Sequence, residues 1–136
     1  MAENAPHGRP TLHPFLRYRD ARAAVRWLRD AFGFEEKAVF EGPDGDVVHA
    51  ELRLGDGVMM LGPAKEDALG MRTPREVGAV TGGIYAFVED VEAHHRRAVA
   101  AGAEVVNDLR EMEYGSREYS CRDPEGNLWS FGTYRP

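Results

Sequence analysis

His49 and Glu51 stand two residues apart between Val47 and Leu54, where they alternate with Ala50, Leu52 and Leu54. A strand points successive side chains to opposite faces, so the imidazole and the carboxylate share one side. Such a pair can exchange a proton or contribute to a metal site. The same alternation groups His13 with Phe15 and Arg17, Tyr85 and Phe87 with Gly83, and Leu128 and Tyr134 with Ser130. Arg117 and Tyr119 form another pair on one face. Aromatic rings interleaved with a few polar handles suit a flat organic ligand. The plainer reading is that several of these rings fill a small core, and that His49 and Glu51 are rim residues bonded to neighbours or water.

Other reactive types carry less. Cys121 is the single cysteine. It would be a nucleophile with a base beside it, but on a strand it reads as an inert buried residue. His94 and His95 are adjacent on a helical stretch and do not point together, so they are expected at the surface or an interface. Trp27 and Trp129 are expected in the core or in a dimer contact. Gly82-Gly83 opens a strand rather than a helix and makes no phosphate cradle. His13, His49 or Arg117 could serve acid–base chemistry without a metal.

These residues need a scaffold, and the chain repeats one. Thr11 to Tyr18 reads as a strand; Asp20 then caps a helix carrying Ala21, Ala24, Val25, Leu28, Ala31 and Phe32 at helical spacing, which stops at Gly33. Strands follow at Phe34 to Glu41, Val47 to Leu54 and Val58 to Leu61. After an irregular connection at 63–80, with room for a short helical turn, the plan returns. Thr81 to Val88 is a strand, Asp90 caps a helix ending at Gly102, and strands follow at Glu104 to Asp108, Arg117 to Arg122 and Leu128 to Tyr134. Asp123-Pro124-Glu125-Gly126-Asn127 is a strong turn. The organisation expected is a flexible arm at 1–10 and one domain at 11–136, with modules at 11–62 and 81–136.

Bulk properties exclude several classes. The 136 residues are 43% hydrophobic and 29% charged, with a net charge of −6. That is ordinary globular composition. No apolar run is long enough for a bilayer, and no secretory signal is visible. Arg17, Arg19, Arg22, Arg26 and Arg29 cluster, but Asp20 and Asp30 sit among them, so a solvated helix face is read rather than a nucleic-acid surface. No nucleic-acid or membrane partner is expected, and the setting is read as cytoplasmic.

Three segments, "LRYRDARAAVRWLRDAFGF" from Leu16, "IYAFVEDVEAHHRRAVAAGA" from Ile84 and "DPEGNLWSF" from Asp123, together resemble the vicinal oxygen chelate superfamily of glyoxalases, bleomycin-resistance proteins and extradiol dioxygenases. The resemblance implies an α+β fold of paired βαβββ modules forming a curved open barrel around a pocket, and a homodimer. It also implies where metal ligands would stand. His13, seven residues before Asp20, matches one such position. Gly83 stands at the second, seven before Asp90, Ser130 at the third, seven after Asp123, and Met60 or Leu61 at the fourth. Three of these four positions offer no usual ligand, although a nonstandard His13–His49–Glu51 cluster could hold an ion. The function expected is a small-molecule binding protein that sequesters an aromatic or cationic compound without a cofactor. The alternative is a divalent-metal lyase, isomerase or dioxygenase. The pocket residues expected are His13, Phe15, Arg17, His49, Glu51, Tyr85, Phe87, Arg117, Tyr119 and Ser130.

Overall fold

The computed structural model describes residues 9–136, so most of the arm expected at 1–10 lies outside the described residues. The described chain forms two compact units. The first holds residues up to 29 and 33–71; the second holds 30–32 and 72–136. Each contains one four-stranded sheet, giving the α+β architecture expected.

In the first unit, β1 (Phe15–Tyr18) leads into α1 (Ala21–Phe32), then β2 (Glu35–Glu41), β3 (Val47–Leu54) and β4 (Gly57–Pro63). The sheet order is β1-β4-β3-β2, with β1 parallel to β4 and the other pairs antiparallel. Asp20 accepts from the Ala23 amide at 3.0 Å and so satisfies a free donor of the first helical turn. Gly33 takes φ 83°, a left-handed conformation that costs glycine little, and its amide reaches back to the Arg29 carbonyl. Ala21, Ala24, Val25 and Leu28 are buried, as are Ala50, Leu52, Met59 and Leu61 from the sheet. These alternate strand residues and the helical stripe make the core, leaving Glu51 and Met60 on the opposite side of the sheet.

The second unit has β5 (Gly83–Phe87), α3 (Val91–Ala100), β6 (Glu104–Glu111), β7 (Arg117–Arg122) and β8 (Leu128–Gly132), ordered β5-β8-β7-β6. Asp90 repeats the cap, accepting from Ala93 at 3.0 Å. The connection before β5 contains α2 (Pro74–Val77), with Thr73 and Glu76 bonding each other's backbone amides in a capping box. The Thr-Pro-Arg-Glu order carries that signature, with proline where a helix begins. β6 runs three residues past the expected Asp108, to Glu111, and β8 ends at Gly132, before Tyr134.

The core of the second unit encloses polar groups, and Asp123 and His94 each have partners there. Asp123 is 1% exposed and accepts from the Glu125 and Asn127 amides, the Asn127 side chain and the Trp129 indole, all at 3.0–3.4 Å. The expected turn is therefore organised by one carboxylate, which also orients the largest buried ring. His94, expected at the surface or an interface, is partly enclosed within the second unit. Its ring lies 4.1 Å from that of Phe131, one nitrogen is 3.0 Å from the Phe32 carbonyl, and the other is 2.6 Å from the Tyr119 hydroxyl. A carbonyl only accepts, so Nε2 carries the proton and Nδ1 accepts from Tyr119. Arg97 likewise donates to the Asp30 carbonyl at 2.8 Å. The two α3 side chains thus satisfy carbonyls that the last turn of α1 leaves free.

Two outcomes follow. Asp123→Ala strands an indole N–H and two amides, and is expected to lower unfolding stability by about 2–4 kcal/mol in urea titrations; a loss below about 0.5 kcal/mol would contradict the network. Burial depresses the His94 pKa from 6.5 to about 4. The unfolded chain therefore binds that proton more readily, and the contribution is complete above about pH 6.5 and lost as pH falls toward about 4. With the ring partly exposed, this is worth on the order of 2 kcal/mol. Stability curves of wild type and His94→Gln should differ in slope across that window, with the wild type losing more stability as pH falls; identical acid sensitivity in both would refute the assignment.

Candidate functional site

In the first unit the face opposite the core gathers most of the expected residues. Phe15 and Glu51 both register with Met60, and Arg17 with Gly62, so these side chains share a face. Alternation along β3 adds His49 and Arg53. A cleft of about 610 Å³ opens here, lined by His13, Lys37, Glu51, Arg53, Asp56 and Met60 among others. Phe15, Arg17 and His49 are not among its lining. Phe15 instead leaves half its surface exposed. Arg17 makes a two-pronged pair with Asp67, both contacts at 2.9 Å, which holds the Asp67 carboxyl below its usual range. Arg17 therefore anchors the segment after β4.

Glu51 is the hub of the cleft. It accepts from His49 and from Lys37, each at 3.2 Å, and these bonds lower its pKa, His49 foremost. Lys37 was not legible in the sequence because a register shift in β2 between Glu36 and Ala38 breaks the alternation. The arginines of α1 prove to be a braced face: Arg22 pairs with Glu41, and Arg29 with Glu36 at 2.8 Å.

In the second unit the open face is defined by register. Tyr85 and Ser120 both pair with Ser130, Phe87 and Glu118 both pair with Gly132, and Gly83 and Arg122 both pair with Leu128. Tyr85, Phe87 and Ser130 thus share a face as expected. Arg117 and Tyr119 do not join them. Tyr119 registers with Phe131, is 1% exposed and stacks on that ring 5.5 Å away. The alternation places Arg117 on that same inner side, and Glu118, Ser120 and Arg122 on the open one. The signal was present: Tyr119 and Cys121 are the apolar members of the strand, and a sheet covered on one side turns these inward.

The positions where the resemblance would put metal ligands do not fit a divalent ion. In the first unit the Nδ1 of His13 is 2.8 Å from the Val58 carbonyl, Met60 offers a thioether, and Leu61 is buried. In the second, Gly83 has no side chain, and the Ser130 hydroxyl bonds that of Ser120 at 2.7 Å. A tight site needs three or four converging imidazole, thiolate or carboxylate donors. Among the described residues no three His, Cys, Asp or Glu side chains are grouped to hold an ion, so His13, His49 and Glu51 do not form such a cluster.

Cys121 is fully buried, and burial, with the nearby Asp123 charge, pushes its thiol up to about 12. The reactive thiolate is therefore suppressed. Iodoacetamide at pH 7.5 should leave native protein unlabelled for hours and label it fully in guanidinium. Rapid labelling of the native protein would contradict this.

Comparisons with known proteins agree with the fold. Residues 11–131 match the model of the Glyoxalase/Bleomycin resistance protein/Dioxygenase superfamily. The Mycobacterium bovis protein Mb0911c is 36% identical over 125 residues, covering 90% of this chain and 82% of its own. The crystal structure of TioX from Micromonospora sp. ML1 superposes with a TM-score of 0.72 and 32% identity, covering 93% of this chain and 98% of that one. The fosfomycin resistance protein FosX from Mesorhizobium loti shares the fold at a TM-score of 0.63, with 16% identity over 93% of this chain and 92% of its own. With paired βαβββ modules, matching segments in order and a family model spanning nearly the whole described chain, this protein belongs to the glyoxalase/bleomycin resistance protein/dioxygenase superfamily.

Proposed function

We propose that the protein binds and sequesters a small organic compound, aromatic or cationic, without a catalytic metal. The observation that carries this reading is the makeup of the second sheet's open face. There Tyr85 and Phe87 stand beside the Ser120–Ser130 hydroxyl pair, with glycine at the position where a relative would place a ligand. Rings and hydroxyls bind an organic molecule by contact and hydrogen bonding; they offer nothing to polarise a substrate as a Lewis acid does. The cleft of the first unit adds a charged rim around Glu51, whose carboxylate stays ionised at neutral pH.

A homodimer belongs to this reading. Phe15 and Phe40 each expose about half of their surface, 51% and 53%, which supports a covered face in the working protein. A cytoplasmic setting is part of it too, supported by the unpaired Cys121. No helix among the described residues is long and apolar enough to cross a membrane.

One observation favours a second reading, a metal-dependent lyase, isomerase or dioxygenase: His13 keeps the family position and lines the cleft.

Metal analysis of protein purified without chelator separates the two, followed by a thermal-shift panel of neutral, aromatic and cationic compounds on EDTA-dialysed protein. The binding reading expects less than about 0.1 equivalent of divalent metal, and ligands that raise the melting temperature of the dialysed protein. A stoichiometric metal lost in His13→Ala, with no ligand binding after dialysis, would overturn it.

A further inference from the structure

We propose that the face formed by Tyr85, Phe87 and Glu118 is a seat for an organic ammonium ion, and that Arg135 of the same chain occupies it when no ligand is bound. The inference rests on the binding-protein reading and narrows its ligand to a cation.

The seat is built around a missing side chain. Gly132 lies between Phe87 and Glu118 in the sheet. A Cβ there would stand 2.5 Å from the Glu118 Cγ and 2.9 Å from the Tyr85 hydroxyl, so both side chains lean over the glycine backbone. The Tyr85 hydroxyl donates to the Tyr134 carbonyl at 2.6 Å, and Tyr114 donates to the Glu118 carboxylate at 2.8 Å. The Tyr114 and Tyr134 rings meet edge to face, 5.8 Å apart at 78°. Both remain accessible, 60% and 50% exposed. One carboxylate therefore bonds Tyr114, leans with Tyr85 over Gly132, and shares its face with Phe87 across that glycine.

Among the described residues no Lys, Arg or His pairs with Glu118. Its charge contributes to holding the Tyr85 and Tyr114 hydroxyls above their ordinary pKa, so both stay protonated donors. Ring faces attract a cation through their quadrupoles, and a carboxylate at the rim supplies the opposite charge. An anion would meet repulsion from Glu118 and the negative ring faces.

The chain already places a cation here. The Arg135 guanidinium carbon sits 4.3 Å from the centre of the Phe87 ring. No carboxylate among the described residues pairs with Arg135. Its contact is with the Phe87 ring, so a ligand ammonium able to reach Glu118 as well as Phe87 displaces it.

The test is titration of benzyltrimethylammonium into the full chain, with uncharged benzyl alcohol as the matched control, by calorimetry and by NMR of labelled tyrosines. The cation should bind with shifts at Tyr85 and Tyr134, and benzyl alcohol should bind at least about ten-fold more weakly. Glu118→Gln keeps the shape and the Tyr114 partner, and should weaken the cation about ten-fold with little effect on the alcohol. Arg135→Gln should tighten the cation about two- to five-fold by removing the internal competitor. Equal binding of cation and alcohol, or indifference to Glu118→Gln, would overturn the seat, and no gain in Arg135→Gln would overturn the role of Arg135. If the compound panel binds while benzyltrimethylammonium does not, the cation seat fails and the binding-protein reading stands. If nothing in the panel binds either, both fail.

Discussion

A strand can bury only every second side chain when one side of its sheet carries the core. That constraint organises both units. In the first, Ala50, Leu52, Met59 and Leu61 turn inward with the buried stripe of α1, and Glu51 and Met60 are forced outward. In the second, Tyr119, Cys121, Trp129 and Phe131 turn inward, and Glu118, Ser120, Ser130 and Gly132 face the other way. Chemistry becomes available because the core has no room for it.

The polar groups that do enter the second core show what the scaffold requires. Asp123 has its accepting capacity taken by backbone, amide and indole donors, so a buried carboxylate ties the β7–β8 turn to Trp129. His94 serves as a neutral bridge between the Tyr119 hydroxyl and the Phe32 carbonyl. Each would be costly unpartnered and is tolerated because its partners are complete. Residues of catalytic type thus perform structural work. Partly enclosed His94 and buried Cys121 are pushed away from reactive ionisation states, while Glu51, at the surface, is held charged.

Much of the fold was legible in the sequence because its signals are local. Asp20 and Gly33 bracket α1 three turns apart, and Asp90 repeats the device, since caps act on amides of adjacent turns. Strand phase was harder to read. Alternation groups Tyr85, Phe87 and Ser130 on one face, and the register agrees. For Arg117 and Tyr119 the register gives the other phase, and a one-residue shift exchanges the two faces entirely. Lys37 was hidden by a bulge, and the partners of Arg17 and His94 lie 50 and 62 residues away in sequence. No local pattern announces such pairings. The absence of usual ligand types at Gly83 and Ser130 was legible, but their surroundings, Leu128 and the Ser120 hydroxyl, required the register.

Family membership sets the architecture, while the open faces set what can be bound. The second sheet presents rings, hydroxyls, Arg122 and one carboxylate, Glu118, that no Lys, Arg or His among the described residues pairs with, and that composition favours recognition over Lewis-acid chemistry. The most direct measurement is a ring-carbon NMR spectrum of tyrosine-labelled, EDTA-dialysed protein with and without a compound that stabilises it. Binding on the open face should shift Tyr85 and Tyr134 and leave Tyr119, on the inner face, unchanged. Binding that requires added metal, or that moves Tyr119 while Tyr85 stays silent, would contradict the account.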